Sequence, residues 1–467
     1  MDTLETTVKL KSLIKNQDSA TLQKRQELSQ ADTSSQPVSK PKSQIPVLDG
    51  VRAVACLAVI SYHVNSLARN YGIWQPLHGI TTLVGALAYF GESGVTLFFL
   101  LSSFLLFLPY SKSLLFDTPW PSIRRFYLRR IFRIIPGYFV ALFLIALFFH
   151  PEFLHHSHWH DIWLFLTFRM DFNLSQQLDG PFWTLAVEFQ FYLLLPIIAW
   201  FFSLIVCRGT VQWRMFKLTL CLCILIAWGL LTRYWGLYIA DTPKLDFLIP
   251  HAVSTALKPY VYGDTTGKYF EVFAVGMLIC MVYIYTQNAA LGESWTTRIR
   301  RLSPLILAIG LAMLLFLSFW HFYYLSIDPY NYTKYYPVFT FLDSYIRIIA
   351  FYWQEWQAMG YAISYGLCMW ALLYASPWLR QPLEWPIVRR IGLISFSLYM
   401  WHLPFVFLFL NVILHNVQEQ GWNHIVAFAA FWCWTIVVVF SLSATLYRWI
   451  EQPGVRLGEL LIRKLES

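Results

Sequence analysis

The chain alternates long apolar runs with shorter polar connections over most of its length. A membrane-spanning helix needs about 20 mainly apolar residues, and ten runs approach or exceed that length. They lie at about 51–67, 93–109, 134–149, 182–206, 216–235, 269–286, 304–324, 357–375, 391–414 and 424–447. The pattern predicts an all-α polytopic membrane protein with about ten transmembrane helices.

Basic residues fall in every second connection. Most Lys and Arg lie in the two terminal segments and in the connections near 110–133, 207–217, 287–303 and 376–390. The intervening connections, of which 150–181, 236–268 and 325–356 are the longest, are poor in basic residues. The positive-inside rule therefore predicts that both termini are cytoplasmic, and an even number of spans agrees with it.

The ends of the chain differ from its middle. Residues 1–44 are rich in Gln, Ser, Lys and Thr, which predicts a disordered polar cytoplasmic tail. Residues 45–456 form the predicted ten-span domain, and 457–467 a short cytoplasmic C-terminal tail. The chain has 57% hydrophobic and 13% charged residues, a composition that excludes a soluble protein. The net charge of +9 is expected to set topology and to meet lipid headgroups, not nucleic acid.

The first predicted span carries two ionisable residues, Arg52 and His63. Eleven residues make about three helical turns, so both side chains point to roughly the same side, about 16 Å apart along the axis. Ionisable groups are costly at membrane depth and usually mark a reaction site or a pathway. His63 would serve as a general base or a transient acyl carrier; alternatively it makes a packing hydrogen bond, and Arg52 only sets topology.

Arginines cluster just before the third span, where Arg129, Arg130 and Arg133 follow Arg124 and Arg125. Their spacing places several guanidinium groups along one helical surface, where they would bind phosphates. An anchor for lipid headgroups would have the same spacing. No glycine-rich phosphate loop accompanies them, which argues against nucleoside triphosphate hydrolysis.

Two further segments place polar groups within spans. Trp183 and Glu188 lie at the start of the fourth span, where the carboxylate could orient His63 or bond a neighbouring helix. Tyr399 and His402 lie in the ninth span, with a pocket role and a structural role equally open. The histidines at 155–160 have no defined ligand spacing, so we expect a solvated loop and no metal.

Taken in order, these segments resemble the acyltransferase 3 family of membrane acyltransferases. The resemblance covers residues 46–456 and rests on six segments. They are Leu48-Asp49-Gly50 with Arg52 and His63, Gly94 to Phe104, Arg129 to Pro136, Trp183 to Tyr192, Ser397 to His402, and Glu451-Gln452-Pro453. Two positions depart from the family pattern: Thr96, where an acidic residue is usual, and Ser103, where glycine is usual.

The resemblance implies roles for these residues. Arg52 and His63 would be catalytic, with Glu188 as their partner, and Arg129, Arg130 and Arg133 would hold acyl-CoA, most simply acetyl-CoA. Trp183, Tyr399 and His402 are expected to contact the acceptor. Many family members carry an additional extracytoplasmic hydrolase-like domain. None is expected after the last span here, so a second protein needed to finish the transfer would be a separate chain.

The sequence thus predicts an O-acyltransferase in the plasma membrane, most simply the cytoplasmic membrane of a bacterium. It would move an acyl group from cytoplasmic acyl-CoA to a hydroxyl of an envelope glycan, a lipid-linked sugar or a small molecule. Two alternatives stay open: a proton-coupled transporter or lipid flippase using His63 and Glu188, and a catalytically inactive relative that acts as an assembly subunit.

Overall fold

The computed structural model describes residues 45–73, 90–172, 178, 180–242, 249–264, 267–326, 352–414 and 422–466. Within these ranges the chain is helical, with turns and no β-strand. The tail predicted at 1–44 lies outside the described residues. So do the central parts of two of the longer connections.

We number twelve helices within the described ranges. They are α1 (Pro46–Asn70), α2 (Gly94–Phe116), α3 (Ile123–Phe148), α4 (Phe182–Val206), α5 (Val211–Tyr234), α6 (Phe270–Thr286), α7 (Ala289–Ser326), α8 (Trp353–Tyr374), α9 (Pro377–Glu384), α10 (Pro386–Leu393), α11 (Ser395–Ile413) and α12 (His424–Leu465). Shorter helices at Trp159–Leu166 and His251–Val261 lie in the connections after α3 and α5.

The helices confirm an all-α, multi-pass membrane fold. In the described part of the chain, eight are long and apolar enough to cross a membrane, and the bent pair α8 and α9 makes a ninth. Helix α6 is also apolar but has 17 residues. Each of the ten predicted spans therefore coincides with a helix. Which side each terminus faces stays a prediction.

The connection between the second and third spans is shorter than the apolar runs indicate. Hydropathy left residues 110–133 between the spans, but α2 runs on to Phe116 and α3 already begins at Ile123. The side chain of Ser122 accepts a hydrogen bond from the Arg125 backbone N–H and caps α3. Hydropathy marks only the apolar part of a helix, so it missed the polar end of each helix. The arginine cluster lies on α3, as its helical spacing predicted.

The helices differ in how much of their surface the protein covers. In their most apolar stretch α1, α2 and α11 are 61%, 67% and 56% buried, against 28% for α5 and 22% for α12. Leu231 of α5 and Val437 of α12 are among the outward-facing apolar side chains. The three central helices are those whose sequences carry the motifs of the first, second and ninth predicted spans.

Small residues bring the central helices close together. A Cβ on Gly91 would lie 1.9 Å from the carbonyl oxygen of Ala58, and one on Gly94 would lie 2.6 Å from that of Ala55. Ser103, where the family pattern has glycine, faces Gly276 of α6, whose missing side chain leaves room for the hydroxyl. At this crossing the small residue that allows close approach is therefore Gly276 of α6, opposite Ser103 of α2.

Two buried ion pairs lie near the start of α6, one between α5 and α6 and one between the connections that precede α4 and α6. Arg233 of α5 donates to Glu271 Oε1 of α6 from Nη2 at 2.6 Å and from Nε at 3.0 Å, and both side chains are less than 5% exposed. Lys268 pairs with Asp171, and the Gln190 side chain bonds both partners. These charges are hydrogen-bonded on several sides, as buried charges must be.

We predict that Glu271→Ala destabilises the folded protein strongly, because it leaves the Arg233 guanidinium buried without its carboxylate. Breaking one side of a buried pair costs about 3–5 kcal/mol. The measurement is the apparent free energy of unfolding of the purified protein in mild detergent. The matched control is Asp241→Ala, which breaks the pair with Lys258, where the carboxylate is 61% exposed. An exposed pair contributes about 0–1 kcal/mol. Equal effects would contradict the prediction.

Candidate active site

Five helices, α1 to α4 and α11, line a cavity that contains most of the charged residues singled out in the sequence. We call it the arginine cavity; its volume is about 90 Å³. Arg52 of α1 and Arg130 and Arg133 of α3 line it, opposite Ser102 of α2 and Glu188 of α4. Arg130 and Arg133 are three residues apart and so lie on one face of α3. Helix α3 therefore brings two guanidinium groups to the one that α1 provides.

Positive charge exceeds negative charge in this cavity. Three arginines line it, and Glu188 is the one carboxylate among its described lining residues. The Arg130 Nε atom is buried and has no hydrogen-bond partner within the described ranges. Arg52 lies 4.0 Å from Asp49, whose other oxygen is 3.3 Å from Arg389 Nη2. Such a surplus of guanidinium donors is suited to an anion with several oxygens, such as phosphate.

The structure separates Arg129 from this group. Its side chain is exposed, whereas Arg130 and Arg133 line the cavity. The three residues were expected to act together, but successive residues of a helix point about 100° apart. Arg129 is therefore placed at the protein surface, where it is available to lipid headgroups or to the outer part of a ligand.

Glu188 has partners that the sequence did not indicate. Its Oε1 atom accepts hydrogen bonds from the Ser102 hydroxyl of α2 and from the Tyr192 hydroxyl one turn further along α4. The two hydroxyl groups are themselves 3.3 Å apart. Of the two roles considered from the sequence, orienting His63 or bonding a neighbouring helix, the described hydrogen bonds match the second, because those of His63 go to other groups. The carboxylate instead joins α2 to α4 at the wall of the arginine cavity.

The partner of His63 is the second histidine. His402 Nε2 of α11 lies 3.1 Å from His63 Nδ1 of α1, across 339 positions of the sequence. The same His63 nitrogen lies 3.0 Å from the carbonyl oxygen of Val59, and His402 Nδ1 lies 2.7 Å from that of Tyr399. His402 is fully buried, whereas His63 is half-buried.

These contacts fix the positions of the ring protons when both histidines are neutral. A carbonyl oxygen only accepts hydrogen bonds, so Nδ1 of His402 carries its proton and Nε2 has the lone pair. His63 Nδ1 then donates to this lone pair and to Val59. The lone pair of His63 is therefore on Nε2, which no hydrogen bond reaches in the described part of the chain. This arrangement makes His63 Nε2 a proton acceptor.

Tyr399 connects the histidine pair to the arginine cavity. It lines the cavity, its hydroxyl lies 2.9 Å from Thr184 Oγ1 of α4, and its ring centroid is 5.8 Å from that of His402. Phe98 of α2 lies against its other side, with ring centroids 5.3 Å apart. The histidine pair therefore lies one side chain behind the cavity wall.

Trp183 lines a second, smaller cavity, which we call the Trp183 cavity. Its volume is about 60 Å³, and it lies where α2, α4, α6 and α8 begin. Val95 lines both cavities, and Trp183 and Thr184 are consecutive residues that line one cavity each. The arginine cavity extends further along α2 and α4, to Leu106 and Tyr192. The two cavities thus follow one another along the axis of the bundle.

One further polar contact joins segments that the sequence placed far apart. Glu451 of α12 accepts a hydrogen bond from Ser397 of α11 at 3.0 Å and interacts electrostatically with Arg133 and Arg52. Its position in a Glu-Gln-Pro segment was a signal, but no role followed from it. Ser102 and Tyr192 also lie in segments that carry the family resemblance, but no role followed from them, since hydroxyl residues are common in transmembrane helices.

Comparison with known proteins bears on this arrangement. The model of the family described as an acyltransferase domain, acyltransferase 3, matches residues 45–448. A peptidoglycan O-acetyltransferase of Listeria monocytogenes is 25% identical over 436 residues, which cover 88% of this chain and 56% of that protein. A protein of Bacillus subtilis, provisionally named a peptidoglycan O-acetyltransferase, is 24% identical over 431 residues, or 88% of this chain and 54% of its own.

The relatives extend beyond the matched region. A provisionally named O-acetyltransferase of Staphylococcus aureus is 23% identical over 444 residues, or 89% of this chain and 58% of its own. The chain thus spans a little over half the length of these curated relatives. No solved structure matches it. The family model covers most of the chain, including every site residue predicted from the sequence, and the chain therefore belongs to the acyltransferase 3 family of membrane acyltransferases.

Proposed function

We propose that this protein is a membrane O-acetyltransferase that moves an acetyl group from cytoplasmic acetyl-CoA to a hydroxyl of a cell-envelope glycan. The observation that carries the proposal is the placement of an anion-binding cavity next to a histidine with an available lone pair. The names of the relatives support an acetyl group and a glycan acceptor. We place the protein in the plasma membrane, with the arginine ends of α1 and α3 on the cytoplasmic side.

The arginine cavity fits the phosphate groups of the donor. Arg52, Arg130 and Arg133 would bind them with charge-assisted hydrogen bonds, and the unpaired Nε of Arg130 would gain a partner. Acetyl-CoA supplies an activated thioester at the end of a long flexible arm. His63 is eleven residues further along α1 than Arg52, or about 16 Å along the helix axis. That separation allows one molecule to reach from the arginines to the histidine.

In the reaction, His63 Nε2 takes the proton of the acceptor hydroxyl as its oxygen attacks the thioester carbonyl. The new C–O bond forms, the C–S bond breaks, and His63 returns the proton to the leaving thiolate. His402 would stabilise protonated His63, because the lone pair on His402 Nε2 accepts a hydrogen bond from the Nδ1–H group of His63. This role differs from the acceptor contact expected from the sequence. A covalent acetyl-histidine route would use the same Nε2 atom.

A transporter or flippase would use His63 and Glu188 as coupling groups. Hydrogen bonds of Glu188 to two hydroxyls, and of His63 to His402, do not join these two residues. The family match also favours an enzyme. An inactive assembly subunit would not need the proton arrangement at the histidine pair.

We predict that acetyl-CoA raises the apparent unfolding temperature of the purified protein and that Arg52→Ala or Arg130→Met abolishes the rise. A ligand that binds only the folded state contributes about 2.7 kcal/mol at a hundredfold excess over its dissociation constant. Arg129→Met is the matched control, because its side chain is exposed. No rise in the wild-type protein would refute a coenzyme A site at these arginines.

We predict that His63→Ala abolishes transfer but leaves the stabilisation by acetyl-CoA near the wild-type value. The reason is that His63 lies away from the phosphate-binding arginines and acts on the proton of the acceptor. The measurements are the rate of CoA thiol release in membranes supplied with acetyl-CoA and the thermal shift of the same variant. Lost binding with retained transfer would reverse the roles assigned to His63 and Arg52.

We predict that His402→Leu lowers the rate of transfer about 100-fold or more, the order of a general-base contribution. His402→Gln should retain more of the transfer rate, because the glutamine amide oxygen can accept a hydrogen bond from the Nδ1–H group of His63. The KM for acetyl-CoA should stay near the wild-type value in both. Equal losses in the two variants, or a matching rise in KM, would indicate a packing role for His402.

A further inference from the structure

The Trp183 cavity has a lining that differs chemically from that of the arginine cavity. Its described lining residues include one carboxylate, that of Glu92, and no Lys, Arg or His. Gln357 of α8 adds an amide, which both donates and accepts hydrogen bonds. An anionic ligand would meet a carboxylate and no cationic side chain among the described lining residues. The cavity is therefore unsuited to phosphates and suited to a ligand that offers O–H donors.

One buried group in this cavity has no partner. Tyr361 of α8 lines the cavity and is 3% exposed, and its hydroxyl oxygen has no hydrogen-bond partner among the described residues. Leaving a buried hydroxyl unpaired is costly, so such groups are few in folded proteins. One turn further along α8, the Tyr365 hydroxyl is satisfied by Ser93 at 2.7 Å. The difference between the two tyrosines points to a ligand hydroxyl as the missing partner of Tyr361.

Aromatic faces complete the cavity. Trp183 and Tyr269 approach with ring centroids 6.5 Å apart and planes inclined by 34°. Trp and Tyr combine a large apolar face with a polar edge, which suits a ring that is apolar on its faces and hydroxylated at its rim. At about 60 Å³ the cavity holds several water molecules, or one edge of such a ring.

The position of the cavity agrees with this chemistry. Val95 separates it from the arginine cavity. Gly91, immediately before Glu92, lies against Ala58 and Tyr62 of α1, and Tyr62 is the neighbour of His63. The Trp183 cavity is therefore at the depth of the histidine pair and at the end of the bundle away from the arginines.

We propose that the Trp183 cavity binds the acceptor, and that the acceptor is recognised there as an uncharged sugar ring whose hydroxyls bond Glu92, Gln357 and Tyr361. This inference rests on the proposed function, since it assigns the second substrate of that reaction. It narrows the acceptor class to neutral glycans. Anionic lipids and phosphorylated small molecules are excluded as groups held in this cavity.

The test measures thermal stabilisation of the full chain in detergent by acetyl-CoA and, separately, by neutral oligosaccharides of N-acetylglucosamine, glucose and galactose. Tyr361→Phe removes a hydroxyl without a partner, so it should leave the unliganded unfolding temperature unchanged. It should weaken binding of the stabilising sugar about three- to tenfold, the effect of one hydrogen bond. Glu92→Gln should weaken the same sugar further, because a charged acceptor forms the stronger hydrogen bond.

The matched control is Tyr374→Phe, which removes a hydroxyl bonded to Thr286 at the other end of α8, outside the cavity. It should lower the unfolding temperature and leave sugar binding unchanged. If no neutral sugar stabilises the wild-type protein while acetyl-CoA does, the inference is wrong and the proposed function stands. If Tyr361→Phe instead weakens acetyl-CoA, the cavity holds the donor. If acetyl-CoA has no effect but a sugar does, the proposed function fails and the sugar site stands.

Discussion

Charged side chains within a helical membrane bundle must face the protein interior, and there each needs a partner. Arg233 and Lys268 meet this constraint with carboxylates that are themselves hydrogen-bonded or buried. Arg130 does not, since its buried Nε has no partner in the described part of the chain. An external anion can supply the hydrogen-bond acceptor that this buried nitrogen lacks. The paired charges therefore stabilise the bundle, and the excess of arginines over carboxylates in the arginine cavity marks the site.

The hydrogen bonds of the two histidines also differ from those of an ordinary packing contact. A structural histidine would satisfy both ring nitrogens, as expected for a polar group at membrane depth. His402 does so, through Tyr399 and His63. His63 forms hydrogen bonds only through Nδ1, so its Nε2 keeps an available lone pair. His402 holds His63 as an aspartate often holds a catalytic histidine, with a neutral imidazole in place of the carboxylate.

The sequence predicted the ten helical segments well, because hydropathy depends on one residue at a time. It also placed Arg52 and His63 on one helix, since they are related by local helical geometry alone. What the sequence could not predict are contacts between distant segments. The approach of His402 to His63 depends on how α11 packs on α1. Glu188 could have bonded His63 or a neighbouring helix, and the structure shows a bond to α2, because depth in the membrane does not fix direction around the helix. Tyr361 gave no signal, since nothing in the sequence distinguishes its hydroxyl from that of Tyr365.

Helix α1 sets the distance on which the proposed reaction depends. Arg52 and His63 lie on one continuous helix, so their separation along the axis does not change when neighbouring helices shift. The close approach of Gly91 and Gly94 to the backbone of α1 fixes the depth of α2, which carries Ser102, and of the turn before it, which carries Glu92. The two cavities are thus in register with the two ends of the Arg52–His63 interval. A donor anchored at one end and an acceptor at the other would meet at the histidine without any large movement of the bundle.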